Sequence, residues 1–152
     1  MDKDFRNFIN VLKNWRFIFI GKFHDCGVNF WNFTNVSFRK SVSTNEMVKE
    51  IIKASFILGL KAPYAWKDRF HGSIALGASF VTPLIFQETM AFSYGIPSLT
   101  FKNHYSEVIG KINSLSSDEY RHLVSKLEKY RDETILHNVR KFRTHLKETY
   151  ML

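Results

Sequence analysis

Apolar residues in this chain alternate between helical spacing and short uninterrupted runs. Over residues 4–14 they recur at intervals of three and four, which predicts an amphipathic helix. The run FIFI at residues 17–20 has no polar interruption, as in a central strand covered on both faces. Residues 33–38 alternate loosely and predict a short second strand. The chain therefore begins with a helix followed by two strands.

Two capping boxes mark the starts of later helices. Ser43 with Glu46 predicts a helix that runs to about residue 54, and Ser116 with Glu119 opens the longest periodic segment of the chain. We expect this last segment to keep one apolar face throughout, with a break near Asp132. That face consists of Tyr120, Leu123, Val124, Leu127, Tyr130, Ile135, Val139, Phe142 and Leu146.

Residues 56–86 read as strand, loop, helix and strand. The apolar runs at 56–60 and 82–86 have the length of strands. Glycine and alanine residues in the segment 74–81 predict a helix that packs closely against a sheet. A polar, basic loop precedes that helix, so the stretch as a whole has the order of a βαβ unit.

The rest of the chain continues the alternation of helices and strands. Residues 87–94 fit either a loop or a short helix, 96–101 are expected to be extended because of their proline, and a short helix follows near 105–112. We therefore predict an α/β fold: a single Rossmann-like domain over residues 1–152, with a mostly parallel sheet, helices on both faces and a long C-terminal helical segment.

The chain is strongly basic, and this indicates an anionic partner. Its 152 residues carry a net charge of +8 with a pI of about 9.6, which attracts nucleic acid, acidic lipid or a phosphorylated small molecule. The basic residues are densest in the last helix, which fits acidic lipid, RNA or simple solvation. Stacking aromatics on an exposed sheet and a helix-turn-helix are not found, which disfavours nucleic acid. The densest group is Arg140, Lys141, Arg143 and Lys147.

Targeting signals favour a cytoplasmic chain, with peripheral contact at a membrane left open. The apolar runs are shorter than the roughly 20 residues of a membrane span, and MDKDFRNF does not resemble a signal peptide. The single cysteine, Cys26, fits a reducing compartment. The sequons at Asn32 and Asn35 are interpreted as chance, because they are usable only in a secreted chain.

The loop before the small-residue helix is the main candidate site. In a βαβ unit such a loop leaves the carboxyl end of a strand and opens a helix, where free backbone N–H groups favour anions. The competing interpretation is a solvated loop in which Arg69 pairs with Asp68 and His71 caps the helix. The candidate residues are Lys61, Tyr64, Lys67, Arg69, His71, Gly72 and Ser73.

Two further loops follow predicted strands and are expected to face the same cleft. Gly21, Lys22 and His24 follow the first strand, and Glu88 and Thr89 follow the strand at 82–86. Glu88 suits a hydrogen bond to a ribose or an acid/base role, against the alternative of an exposed loop residue.

We expect neither a metal site nor a tightly bound cofactor. His24, Asp25 and Cys26 are neighbours in sequence, but they lack the second pair of ligands that a zinc site needs.

The order of elements resembles the C-terminal, donor-binding half of a GT-B glycosyltransferase. The resemblance covers nearly the whole chain and implies a nucleotide-sugar substrate. It rests on the order and spacing of four segments. These are VSTNEM (42–47), ASFIL (54–58), TPLI (82–85) and LSSDEYRHLVSKLEKYRD (115–132).

The chain departs from that family in its acidic residues and resembles a second family there. Many retaining GT-B enzymes have two glutamates around the opening of the glycine-rich helix, whereas this chain has Asp68 and then no glutamate before Glu88. The segment DRFHG at 68–72 is similar to the D-R-x-H-G motif of polysaccharide pyruvyl transferases. That resemblance implies that Arg69 and His71 bind the carboxylate and phosphate of phosphoenolpyruvate.

These resemblances imply a transferase whose site stabilises negative charge on a leaving group. Arg69, with Lys61 and Lys67, would hold phosphate, and His71 would donate a hydrogen bond to the leaving oxygen. In the GT-B family a second Rossmann-like domain supplies the acceptor side, so we expect this chain to act as part of an enzyme. The alternative is a non-catalytic remnant that binds a protein, an acidic membrane surface or nucleic acid.

Overall fold

The computed structural model describes residues 3–21, 33–59 and 72–150 and has an α/β architecture. Short parallel strands alternate with helices, and the C-terminal third is helical. In chain order the elements are α1 (Lys3–Val11), β1 (Phe17–Ile20), β2 (Val36–Arg39), α2 (Thr44–Lys53), β3 (Ile57–Leu58), α3 (Gly72–Phe80), β4 (Leu84–Gln87), α4 (Glu88–Tyr94), β5 (Leu99–Phe101), α5 (Ser106–Ser114), α6 (Ser117–Tyr130), a π-helical segment (Arg131–Leu136) and α7 (His137–Tyr150).

All strand pairs in the described parts of the chain are parallel, as predicted. The strands form two hydrogen-bonded pieces, β1–β2 and β3–β4–β5, where the sequence pattern predicted one sheet. Phe17 lies opposite Val36 in the first piece, and β4 is the central strand of the second. Parallel neighbours need a crossover connection, and α3 provides it between β3 and β4.

Helices cover both faces of the three-stranded piece, which confirms the predicted layering. Side chains alternate across a strand, so neighbouring residues of β4 enter different cores. Ile85 packs with residues of α1 and α5, whereas Leu84 and Phe86 pack with Ala78 of α3 and Leu127 of α6. All five side chains are buried. The central strand is therefore enclosed, which explains its uninterrupted apolar sequence.

Aromatic contacts of α1 join the two pieces of sheet. Phe5 packs edge-on against Phe19 of β1, with ring centroids 6.0 Å apart, and also contacts Tyr105 beyond the end of β5. Near the starts of the strands, the ring of Trp15, just before β1, lies 5.8 Å from the ring of Phe56, just before β3. The start of β1 thus lies near the start of β3. We infer that the two pieces run in the same direction and share one carboxyl edge.

α1 ends at Val11, before the predicted residue 14, and Asn35 caps its carboxyl end. Its side-chain Nδ2 donates to the backbone carbonyls of Ile9, Leu12 and Trp15 at 3.4, 3.2 and 3.1 Å. These contacts satisfy carbonyl groups at the carboxyl end of the helix, which otherwise lack partners. The asparagine of the second sequon therefore has a structural role.

Two glycines allow backbone to approach the buried side chains of β4. A Cβ on Gly77 of α3 would lie 2.1 Å from Leu84 Cδ2, and a Cβ on Gly59 after β3 would lie 1.8 Å from two ring carbons of Phe86. These separations are far below van der Waals contact, so a side chain at either position would displace a buried neighbour. The close packing predicted from the small residues of α3 is confirmed.

Both predicted capping boxes are present, and the ambiguous residues 87–94 are helical. Ser43 exchanges hydrogen bonds with Glu46 at the start of α2, as Ser116 does with Glu119 at the start of α6. The predicted break near Asp132 coincides with the π-helical segment. In the described parts of the chain, every helix is too short or too polar to cross a bilayer.

The predicted apolar face of the C-terminal helices is covered over only part of its length. Leu127 of α6 is buried in the second core, but the face does not stay covered beyond the π-helical segment. Val139 and Phe142 of α7 are exposed. The periodicity thus predicted the helical segment, and it did not specify which part of its apolar face is covered.

Candidate functional site

The carboxyl edge of the strands is the candidate site, because ligands of parallel α/β sheets bind there. We use "carboxyl edge" for Gly21, Gly59, the start of α3 at Gly72, residues 87–89 and residues 102–104. The described residues at this edge come from the ends of β1, β3, β4 and β5. Each was placed there by a strand that the sequence pattern had predicted.

The start of α3 presents open backbone. Gly72 is the first residue of this nine-residue helix and is exposed, and no atom of the described residues beyond its own turn lies within 4 Å of where a Cβ would stand. The first N–H groups of a helix lack partners within it and carry partial positive charge. Ser73 is the second residue of the helix, so its backbone amide belongs to the same turn. This arrangement suits an anionic ligand.

Glu88 and Lys102 connect the ends of β4 and β5. Lys102 Nζ lies 3.9 Å from Glu88 Oε2, and Gln87 Nε2 donates to the carbonyl of Lys102 at 3.1 Å. Glu88 is the first residue of α4 and is exposed, as is Thr89, so neither belongs to a loop as the more conservative interpretation supposed. The exposed ion pair is weak in water and is able to open for a ligand.

At the end of β5, a turn binds an anionic group with its backbone N–H groups, and that group is a carboxylate of the same chain. The backbone N–H groups of Lys102, Asn103 and His104 donate to the Glu107 carboxylate at 2.8, 3.0 and 2.9 Å. These bonds stabilise the ionised form and lower the pKa of Glu107 to about 2. Nearby, Asp4 accepts the N–H of Tyr105 at 2.7 Å. Backbone amides at this edge therefore bind carboxylates.

Glu107→Gln should weaken the pH dependence of the free energy of unfolding in the acidic range. Because its pKa is lowered in the folded protein, Glu107 stabilises the fold above about pH 4.5, and this contribution is lost as the pH falls towards about 2. We expect the urea midpoint of the variant to lie below that of the wild type at neutral pH and the gap to narrow through this window. A gap that is constant with pH would contradict the assignment.

The backbone conformation at position 21 favours glycine. Its φ is +138°, a conformation that side chains rarely adopt, and its N–H donates to the carbonyl of Arg39 at 3.2 Å. Arg39 at the end of β2 is paired with Glu50 of α2 at 3.1 Å. Gly21 thus shapes the end of β1, where it lies at the carboxyl edge, and its role in binding stays a prediction.

Seven of the predicted site residues lie outside the described residues: Lys22, His24, Lys61, Tyr64, Lys67, Arg69 and His71. Of the others, the structure connects Glu88 directly with the end of β5 and places Gly21, Gly72 and Ser73 at the ends of their elements. Within the described ranges, no group of three or more His, Cys, Asp or Glu side chains is positioned to hold a metal ion.

Sequence reasoning missed Lys102 and Glu107. Lys102 directly follows a predicted strand, the same signal that singled out Glu88. Glu107 comes three residues after His104, near the start of a predicted helix, a spacing typical of a carboxylate that caps backbone N–H groups. Both signals were present in the sequence, but only the fold shows that β4 and β5 are neighbours.

Comparisons with known proteins give no further guide to this site. No protein-family model matches the chain, and a search of curated proteins finds no significant match. The two family resemblances therefore stay predictions. The function proposed below is based on the residues at the carboxyl edge.

Proposed function

We propose that this chain is the nucleotide-sugar-binding part of a glycosyltransferase, with the donor diphosphate at the carboxyl edge. The observation that carries the proposal is the start of α3. In the parallel β3–α3–β4 unit this helix begins with Gly72, which is exposed and is not obstructed by any of the described side chains. A helix start in that position is a common phosphate site in α/β folds.

The chemistry of the preceding segment supports the same ligand. Residues 60–71 join β3 to α3 and contain Lys61, Lys67, Arg69 and one histidine, against the single acidic residue Asp68. Phosphate oxygens prefer such cations together with backbone N–H groups. The carboxylate held by three amides at the end of β5 supports the idea that backbone at this edge binds anions.

The proposed roles follow from charge. Arg69, Lys61 and Lys67 hold the diphosphate, and His71 donates a hydrogen bond to the oxygen that leaves the sugar. Gly72 and Ser73 contribute backbone N–H groups. The remaining proposed contacts to the base, ribose or sugar are Gly21, Lys22, His24, Tyr64, Glu88 and Thr89.

The reaction fits these groups. When the bond between the sugar and the diphosphate breaks, negative charge grows on the leaving oxygen, and positive groups already in place stabilise it more than they stabilise the neutral bond. The acceptor and the base that activates it are assigned to a second Rossmann-like domain or subunit. The isolated chain should therefore bind the donor without completing transfer.

Thermal unfolding with ligands tests the proposal. UDP, GDP, CMP, UDP-sugars and phosphoenolpyruvate are added separately. A ligand at 100 times its dissociation constant should add about 2.7 kcal/mol of stability and raise Tm by about 5–10 °C. Arg69→Ala should abolish the shift. Arg16→Ala is the matched control, because Arg16 is exposed just before β1 at the opposite edge of the strands, and it should keep the full shift.

The ligand that produces the shift distinguishes the candidate functions. A shift with a nucleotide or a nucleotide sugar supports the glycosyltransferase proposal. A shift with phosphoenolpyruvate alone would replace it with pyruvyl transfer. If no ligand stabilises the wild-type chain, the donor-binding proposal is wrong and a non-catalytic binding role takes its place.

A further inference from the structure

The end of the π-helical segment and the last helix carry an apolar face that is exposed in the described structure. All ten side chains of α7 that the structure describes are exposed, and Phe142 keeps 62% of its surface in water. Val139 and Leu136, three and six residues earlier, are 42% and 37% exposed. Residues three apart share one side of a helix, so these side chains form a continuous apolar ridge. A ridge of this kind normally faces a core.

A ridge of positive charge runs beside the apolar one. Arg140 and Arg143 each follow an apolar residue by one position, so they line the adjacent side of the same helix, and Lys141 adds a third exposed cation. Residues 137–150 contain four basic side chains and one acidic side chain, Glu148. The helix is therefore cationic and amphipathic along its length.

The excess of positive charge begins at the point in the sequence where the C-terminal helices stop being buried against the sheet. Residues 117–136 contain five acidic and four basic side chains, and pairs such as Lys129 with Glu133 and Arg131 with Asp132 compensate one another. In that region Leu127 is buried against the sheet. After the π-helical segment the acidic residues nearly disappear and the apolar ridge becomes exposed. Two independent features, charge and burial, thus change at the same point.

We propose that α7 binds an anionic lipid surface, with Val139 and Phe142 inserted among the acyl chains and Arg140, Lys141 and Arg143 at the headgroups. A helix with low overall hydrophobicity, a cationic face and an aromatic on its apolar face is typical of interfacial binding. The apolar ridge of one short helix is small for a stable protein interface, which buries about 800 Å² per partner. Membranes need no such area, because cations and a few inserted side chains act together.

Vesicle binding of the full chain tests this proposal. Cosedimentation is measured with phosphatidylcholine vesicles and with phosphatidylcholine vesicles containing phosphatidylserine. We expect binding only to the second kind, and weaker binding as salt is raised, because salt screens the cations. Phe142→Ser should weaken partitioning by at least about tenfold. The double variant Arg140→Gln/Arg143→Gln should weaken it by about 25-fold, since each cation near such a surface contributes about fivefold.

Matched control variants distinguish the contribution of α7 to vesicle binding from that of the overall charge and hydrophobicity of the chain. Phe92 of α4 is 87% exposed, so Phe92→Ser removes a similar apolar group elsewhere, and Arg6→Gln/Arg16→Gln removes the same charge from exposed positions near the N terminus. Both should bind like the wild type. Circular dichroism and urea unfolding confirm that each variant is folded.

Three outcomes would overturn the proposal. The first is that phosphatidylserine vesicles do not bind the wild-type chain. The second is that the control variants lose as much binding as the α7 variants. The third is that the α7 variants leave vesicle binding unchanged and affect another interaction instead. That interaction would be self-association in solution for Phe142→Ser, or RNA binding for the arginine variant.

Discussion

Leu127→Ala is expected to lower the free energy of unfolding by about 2–5 kcal/mol, one of the two largest effects that we anticipate. Leu127 is fully buried and joins α6 to Leu84 and Phe86 of the central strand. Truncation removes apolar contacts and leaves a cavity against a sheet that cannot collapse to fill it. Urea unfolding of the variant and the wild type measures the difference.

Phe92→Ala is the control for that variant. It deletes a larger side chain, but Phe92 is 87% exposed, so we expect a change within about 0.5 kcal/mol. If Leu127→Ala cost no more than Phe92→Ala, α6 would not pack against the sheet as described. The comparison thus tests the second core separately from α1 and the first core.

Gly59→Ala is expected to destabilise the protein by about 1–3 kcal/mol, although alanine usually stabilises relative to glycine. The added Cβ would lie 1.8 Å from the Phe86 ring, which is fully buried. The backbone cannot easily withdraw, because the Gly59 N–H donates to the Ile85 carbonyl at 2.8 Å. The clash should therefore outweigh the smaller loss of chain entropy. Thermal and urea unfolding give the sign and size of the effect.

Gly110→Ala provides the opposite case. Gly110 is exposed in α5 and has no atom within 4 Å of where a Cβ would stand, so alanine should stabilise the helix by about 0.5–1 kcal/mol. Opposite signs for the two substitutions would verify the close approach of β3 to Phe86. A gain in stability from Gly59→Ala would contradict it.

Local signals in the sequence located most elements accurately. The two capping boxes place the starts of α2 and α6 at the residues observed, because a serine and a glutamate three residues later satisfy backbone groups regardless of what lies around them. The apolar run at 17–20 is a strand, as predicted, but it is half-buried in a two-stranded piece and is not the central, covered strand that the run indicated. Boundaries that depend on distant groups were less accurate, as the end of α1 shows.

The candidate site was predictable in part. The end of a strand is a local feature, so the sequence identified Gly72 and Glu88 as candidates because they lie in segments that follow predicted strands. The ion pair of Glu88 with Lys102 needs β4 and β5 to be neighbours, and strand order is not encoded in either segment. For the same reason, the contact of Asp4 with the N–H of Tyr105 became visible only in the fold.

By itself, the sequence determined where most helices and strands lie, that the strands are parallel, that glycine and alanine bring α3 close to the sheet, and that the chain carries a net charge of +8. These properties depend on hydrophobic period, caps and charge, which neighbouring residues set. Tertiary structure alone decided that Asn35 caps the end of α1, that Asp4 accepts the N–H of Tyr105, and that the apolar face is buried at Leu127 but exposed at Phe142. Each of these depends on groups that meet only after folding, because a periodic pattern specifies a face of a helix but not what covers it.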